Sequence, residues 1–230
     1  MQPIANHLLT VGKSLLSILF ITTIVSCESE SYETGLGENS LIEGEFVDLS
    51  INALRQVGSF QTDDGVSYVP VLPVTASWIT KADTTYRSVV YFEKRGGAFA
   101  DIKSVGYMPT IIPRKPEDFK RQPQHPVGLE SAWLTKTGKY INLGLLLKNG
   151  RVNDEEGMHA LAIVCDEVRQ NADQTRTAFY RLLHDQGDAP EYYSNRRYVS
   201  ILLPDDRPDS VRLSIETYQQ GTVEKRFALK

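Results

Sequence analysis

The chain has 230 residues, 41% of them hydrophobic and 23% charged, with a formal net charge of −4. That is enough apolar material for one large or two small cores. The mild acidity repels phosphate backbones, so no nucleic-acid partner is expected.

In chain order, the first feature is one basic residue, Lys13, followed by an apolar run from Ser14 to Val25 and then Ile24-Val25-Ser26-Cys27. The run is well short of the roughly 20 residues that span a bilayer. The order resembles a bacterial lipoprotein signal peptide with its lipobox. The resemblance implies that residues 1–26 are removed and that Cys27 becomes the lipid anchor. Two or more acyl signals are needed for stable anchoring, and a multiply acylated cysteine supplies them. The competing reading is a buried cysteine in a first helix. Residues 1–26 carry Lys13 and no acid, so the remaining 204 residues have a formal charge of −5. The membrane is thus an expected partner through Cys27, and the expected location is the outer membrane, facing the periplasm or the cell surface. Residues 27–43, with Glu28, Glu30 and Glu33, read as an acidic tether or a plain solvated linker. With Cys27 lipidated, Cys165 has no disulfide partner and reads as a free, buried thiol.

Residues 44–113 read as about five short strands. Phe46, Val47, Leu49 and Ile51 stand in near alternation with polar residues, and Asp64-Gly65 marks a hairpin turn. Arg87 to Glu93 is a β-branched and aromatic run. Ile102, Val105 and Tyr107 form another strand, and Thr110-Ile111-Ile112 a short last one. Residues 114–126 contain Pro116, Pro123 and Pro126 among charged residues and read as a linker and domain boundary. Residues 127–230 hold seven strands: Leu129–Leu134, Tyr140–Leu147, His159–Cys165, Thr177–Leu183, Tyr198–Leu203, Val211–Ile215 and Phe227–Leu229. Their short spacing argues for an immunoglobulin-like β-sandwich.

The segments Tyr140-Ile141-Asn142-Leu143-Gly144, His159-Ala160-Leu161, Leu183-His184-Asp185, Gly187-Asp188, Tyr192-Tyr193-Ser194 and Tyr198-Val199-Ser200 carry a resemblance to the NigD-like lipoproteins of Bacteroides-type bacteria. It covers nearly the whole chain after the signal. It implies an all-β protein, an N-terminal OB-like barrel followed by a C-terminal sandwich, and almost no chemistry. The family name refers to a bacteriocin gene cluster, so a bacteriocin-associated or immunity role is one implied alternative.

The chain has no G-x-S-x-G, H-E-x-x-H, C-x-x-C, phosphate loop or dinucleotide pattern. No catalytic residue, metal ligand or cofactor is therefore assigned. His184, Asp185 and Asp188 form the best polar cluster. They read as a turn, or as the acid–base core of a surface-polymer hydrolase. His125 and His159 lie in other segments, so the histidines are not expected to cluster. Tyr192, Tyr193 and Tyr198, with Arg196-Arg197, form an aromatic and basic stretch that reads as contact surface for a sugar ring or a partner protein, or as a tyrosine corner and ordinary strand faces of a sandwich; Trp78 with Tyr68, Tyr91 and Tyr107 could line the binding face of an OB barrel. The expected function is a non-enzymatic envelope module that binds a glycan, a peptide or a partner protein through Trp78, Tyr192 and Tyr193.

Overall fold

A computed structural model describes residues 41–152 and 155–229. Cys27 and residues 28–40 of the expected tether lie outside the described residues, while Ile42 and Glu43, expected at the end of the tether, belong to the first strand. The first five strands are β1 (Ile42–Ile51), β2 (Val57–Thr62), β3 (Ser67–Pro70), β4 (Thr84–Lys94) and β5 (Phe99–Tyr107). They close into a barrel in the order β1-β2-β3-β5-β4, with β4 returning to β1 and β3 running parallel to β5. This is the strand order of an OB barrel. Alternation decides which side chains fill it: Val47, Leu49 and Ile51 of β1 point inward, and Phe60, Tyr68 and Phe92 form a packed aromatic trio. At the β2–β3 turn, Gly65 has φ +87, a conformation that strains any side chain.

The other strands are β6 (Thr110–Ile111), β7 (Gly128–Leu134), β8 (Tyr140–Asn149), β9 (Arg151–Val152), β10 (Glu155–Glu156), β11 (Ala160–Gln170), β12 (Arg176–Asp185), β13 (Tyr193–Leu202), β14 (Ser210–Thr217) and β15 (Gly221–Ala228). Two four-stranded sheets, β6-β13-β8-β7 and β11-β12-β14-β15, make a sandwich, with β9 and β10 paired as a separate two-stranded antiparallel sheet. Ile141, Leu143, Leu145 and Leu147 from one sheet meet Tyr180, Leu182, Val211, Leu213 and Ile215 from the other in one core. The sandwich is not purely antiparallel, since β12 runs parallel to β14 and β6 parallel to β13. The described residues contain no α-helix, and one 3-10 turn spans Pro116–Asp118.

The expected boundaries change in two further places. Thr110 and Ile111, expected as the last barrel strand, pair with Ser200 and Ile201 of the sandwich instead. Residues 114–126, expected as a linker, run along the second sheet: the Arg114 N–H donates to the Ile163 carbonyl, and the His184 N–H donates to Pro123. The prolines limit the donors this segment offers, so it contacts the sheet at isolated bridges rather than as a strand. Leu41–Lys230 forms one compact unit.

The apolar run from Tyr140 reflects two buried faces. Ile141, Leu143 and Leu145 face the sandwich core, while Tyr140 and Asn142 face the barrel. There Arg87, 5% exposed, forms paired bonds at 2.7 Å to both carboxylate oxygens of Asp63. It also donates to Ser200 Oγ at 3.0 Å and Asn142 Oδ1 at 3.2 Å, and stacks 4.2 Å over the Tyr140 ring. The Tyr140 hydroxyl donates to Asp48 at 2.8 Å, and Lys139 pairs with the same carboxylate. Beside this network Phe46 of the barrel packs against Trp133 and Tyr198 of the sandwich. Gly144 permits the close packing: a Cβ there would lie 2.5 Å from Ser131 Oγ and 3.1 Å from the Tyr198 ring.

Candidate functional site: a cleft at the junction of barrel and sandwich

A cleft of about 720 Å³ opens where barrel and sandwich meet. Such junctions are favoured positions for ligand sites because two rigid bodies supply opposing walls. The barrel contributes Val89 and Tyr107, and the crossing segment Met108 to Ile111 forms one side. β13 contributes Arg196, Arg197, Tyr198 and Val199, and the approach to β11 contributes Met158 and His159. Tyr107 is 58% exposed and Tyr198 39%. Arg196 forms a bidentate pair with Glu130.

The expected contact residues do not form one site. Trp78 is half-buried against the barrel core, edge-on to Tyr86 at 5.5 Å and 5.7 Å from Tyr107, so it supports one wall of the cleft from behind. Tyr192 and Tyr193 are exposed at the start of β13 and do not line the cleft. Tyr68, expected on a binding face, is buried inside the barrel, because its phase along β3 places it against Phe60. Of the aromatic and basic stretch Tyr192, Tyr193, Arg196, Arg197 and Tyr198, the last three line the cleft.

The histidines do converge. His184 is 1% exposed. Its Nδ1 lies 3.0 Å from the carbonyl oxygen of His125, and its Nε2 lies 2.9 Å from Nδ1 of His159. A carbonyl only accepts, so His184 carries its proton on Nδ1, and its Nε2 accepts from His159. His159 Nε2 is then left with a lone pair, buried and without a hydrogen-bond partner among the described residues. The sequence hid this because β12, the start of β11 and the 114–126 segment bring distant positions together. The His184-Asp185 pair sits at the end of β12, where Asp185 Oδ1 accepts from the Gly187 N–H and sets the following bend. No group of three or more His, Cys, Asp or Glu among the described residues is arranged to hold a metal.

Burial holds the His184 imidazole below its ordinary range, reinforced by His159 and His125. Burial and then the Arg197 charge do the same for His159. A base whose folded pKa is depressed takes up protons more readily in the unfolded chain. Its contribution is therefore complete above the unfolded value of about 6.5 and is lost as pH falls through the folded pKa. Thermal unfolding should show a falling midpoint below about pH 6.5, with at most about 1.4 kcal/mol lost per pH unit per proton. His184→Gln should flatten that slope; an unchanged slope would assign the titration to other groups.

Cys165 is a free thiol, as expected, but only partly buried. It packs against the sandwich core just before the register shift to Glu167 and lines a second cleft of about 360 Å³, and burial raises its pKa.

These features define a class of tightly joined barrel-plus-sandwich β proteins. The fold is that of a NigD-like immunity protein from Bacteroides caccae, with TM-score 0.62 at 20% identity over 81% of this chain and 97% of that one. A protein of unknown function, DUF1344, from Bacteroides vulgatus is similar at TM-score 0.61 and 14% identity, over 81% and 90% of the two chains. A candidate lipoprotein from Bacteroides fragilis is similar at TM-score 0.57 and 12% identity, over 82% and 98%. At these identities the likeness establishes the shared fold. No family model matches the chain, and no curated protein matches it.

Proposed function

We propose that the protein is an envelope lipoprotein held by Cys27, with a non-catalytic ligand-binding module in which the junction cleft is the binding site. The observation that carries this reading is the cleft itself: a concave surface with two exposed tyrosines, built on two bodies joined by a buried ion-pair network. The fold likeness to a candidate lipoprotein supports the anchor. A hydrolase acting through His184 fits the geometry poorly. Both of its ring nitrogens are engaged within the protein, and none of the described residues lining the cleft is a carboxylate. Glycoside hydrolysis needs two carboxylates across a cleft. An immunity role has only the likeness to the Bacteroides caccae protein behind it.

Two measurements test the reading. Cells fed a clickable fatty acid should label the wild-type protein and leave Cys27→Ala unlabelled; persistent label on the variant would refute the anchor. The full chain in detergent should bind a member of a panel of oligosaccharides and envelope peptides. Tyr198→Ala and Tyr107→Ala should weaken that binding, each by about tenfold if one aromatic contact of about 1–1.5 kcal/mol is lost. Tyr192→Ala with Tyr193→Ala tests the alternative surface: a larger loss from that pair would move the site to the start of β13. Hydrolysis abolished by His184→Ala would overturn the non-catalytic reading.

A further inference from the structure

The second cleft, of about 360 Å³, lies at an edge of the sandwich. Ile112 and Pro113 form one wall, where the chain crosses to the second sheet and Arg114 bonds Ile163 and Cys165. Leu202 and Leu203, at the end of β13, form another. Cys165 and Tyr180, cross-strand partners on β11 and β12, reach it from the second sheet. Pro113, Pro204 and Pro208 in the lining carry no N–H and hold φ nearly fixed, so that part of the wall is stiff and offers no backbone donor.

Tyr180 sets this cleft apart. Its ring belongs to the sandwich core, and the residue is 3% exposed. Its hydroxyl bonds to no group among the described residues. Nor is it sealed in: the fully buried side-chain atoms left unbonded among the described residues are His159 Nε2 and the Tyr218 hydroxyl. The Tyr180 hydroxyl therefore opens onto the cleft that the residue lines. Burial, reinforced by Cys165, pushes its pKa up to about 12, so it keeps its proton and can donate. Buried polar groups normally find a partner, because an unmade bond costs stability. A phenylalanine would fill the same core space without that cost.

The other polar side chains of the lining leave no free acceptor. Arg114, Lys115 and Arg176 only donate. Arg114 stacks 4.4 Å over the Phe119 ring, and Lys115 lies 4.0 Å from Glu117. Arg176 holds both carboxylate oxygens of Asp206, at 3.0 and 2.8 Å. The cleft thus presents a hydroxyl donor on an apolar wall, with its one described carboxylate already engaged.

We propose that this cleft binds a small apolar molecule carrying a carbonyl or carboxylate oxygen, which accepts from the Tyr180 hydroxyl. Its hydrocarbon part lies against Ile112, Leu202 and Leu203. The volume of about 360 Å³ equals roughly a dozen water molecules at about 30 Å³ each, the size for a single aromatic or short aliphatic acid. The site is separate from the junction cleft and does not depend on the function proposed there.

The probes are phenylbutanoate, benzylacetone and butylbenzene, an acid, a ketone and a hydrocarbon of similar shape. Each is titrated into the isotope-labelled full chain in detergent, reading the amide signals of Ile112, Cys165 and Leu203. Partition into detergent is the same for wild type and Tyr180→Phe, so their ratio isolates the protein. The acid and the ketone should shift these signals. Tyr180→Phe should weaken both by about tenfold, about 1.4 kcal/mol, and leave butylbenzene unchanged. Both ligands should also slow alkylation of Cys165, read by mass on its own peptide so that Cys27 does not interfere. Tyr180→Phe should melt no lower than wild type, since the hydroxyl has no protein partner to lose. A lower midpoint would show a bond within the protein and overturn the proposal. So would the same change for all three probes in Tyr180→Phe, or no shift of these amides by the acid and the ketone.

Discussion

Arg87→Met should cost about 3–5 kcal/mol of stability, read as a lower midpoint in urea denaturation, because it removes one partner from a buried ion pair. Arg87 fills the space between Asp63 of the barrel and Asn142 and Ser200 of the sandwich, and Tyr140 stacks on its guanidinium. Without it the Asp63 carboxylate keeps the Asn142 amide at 2.8 Å but no counter-charge of comparable geometry. Methionine fills much of the volume, which separates the charge effect from a cavity. Arg87→Lys should recover part of the loss, since a lysine offers a point charge without the planar fork that meets both carboxylate oxygens. A loss below about 1 kcal/mol would place this pair with ordinary surface ion pairs and remove the argument that it joins the two bodies.

Phe92→Ala should cost a comparable amount, about 3–5 kcal/mol for truncating a buried phenylalanine. Phe92 is fully buried, with Phe60 at 5.0 Å and Tyr68 at 5.2 Å between ring centroids. The informative part is where the loss is felt. The chain has two tryptophans, Trp78 on the barrel and Trp133 on the sandwich. Variants keeping one of them report the two bodies separately. In the otherwise wild-type protein both signals should change together, and Phe92→Ala should move both midpoints. In the Arg87→Met background the same truncation should move the Trp78 signal ahead of the Trp133 signal. Two separate transitions in the parent protein would show that the bodies unfold independently and that the junction is a weak contact.

Strand identity was legible because period-two alternation is local. Val211, Leu213 and Ile215 show their buried face to any reader of the sequence, and each is fully buried in the sandwich. The Asp64-Gly65 hairpin was legible for the same reason, since one residue must accept positive φ. β15 was caught only at its end. Its outer residues are mostly exposed and polar, so only Val223 and Phe227 carry an apolar signal.

Sheet membership was not local. Nothing in Thr110-Ile111 distinguishes a last barrel strand from an edge strand of the sandwich; pairing with Ser200 and Ile201, ninety residues away, decides it. The prolines at 116, 123 and 126 read as a linker because proline disfavours continuous ladders, yet isolated bridges need only the donors and acceptors that remain. The candidate site shows the same division. Sequence reading selected exposed aromatics by type, and Tyr192 and Tyr193 are exposed. Which aromatic faces a concave surface depends on strand phase and on how the barrel seats against β8 and β13, so Tyr107 and Tyr198 line the cleft while Tyr68 is buried. Alternation, turn chemistry and apolar content, all short-range properties, determined an all-β chain with two cores. Long-range pairing decided the rest: the convergence of His125, His159 and His184, the Arg87 network and the cleft onto which Tyr180 opens. Those depend on contacts between segments whose separation in sequence carries no signal of their distance in space.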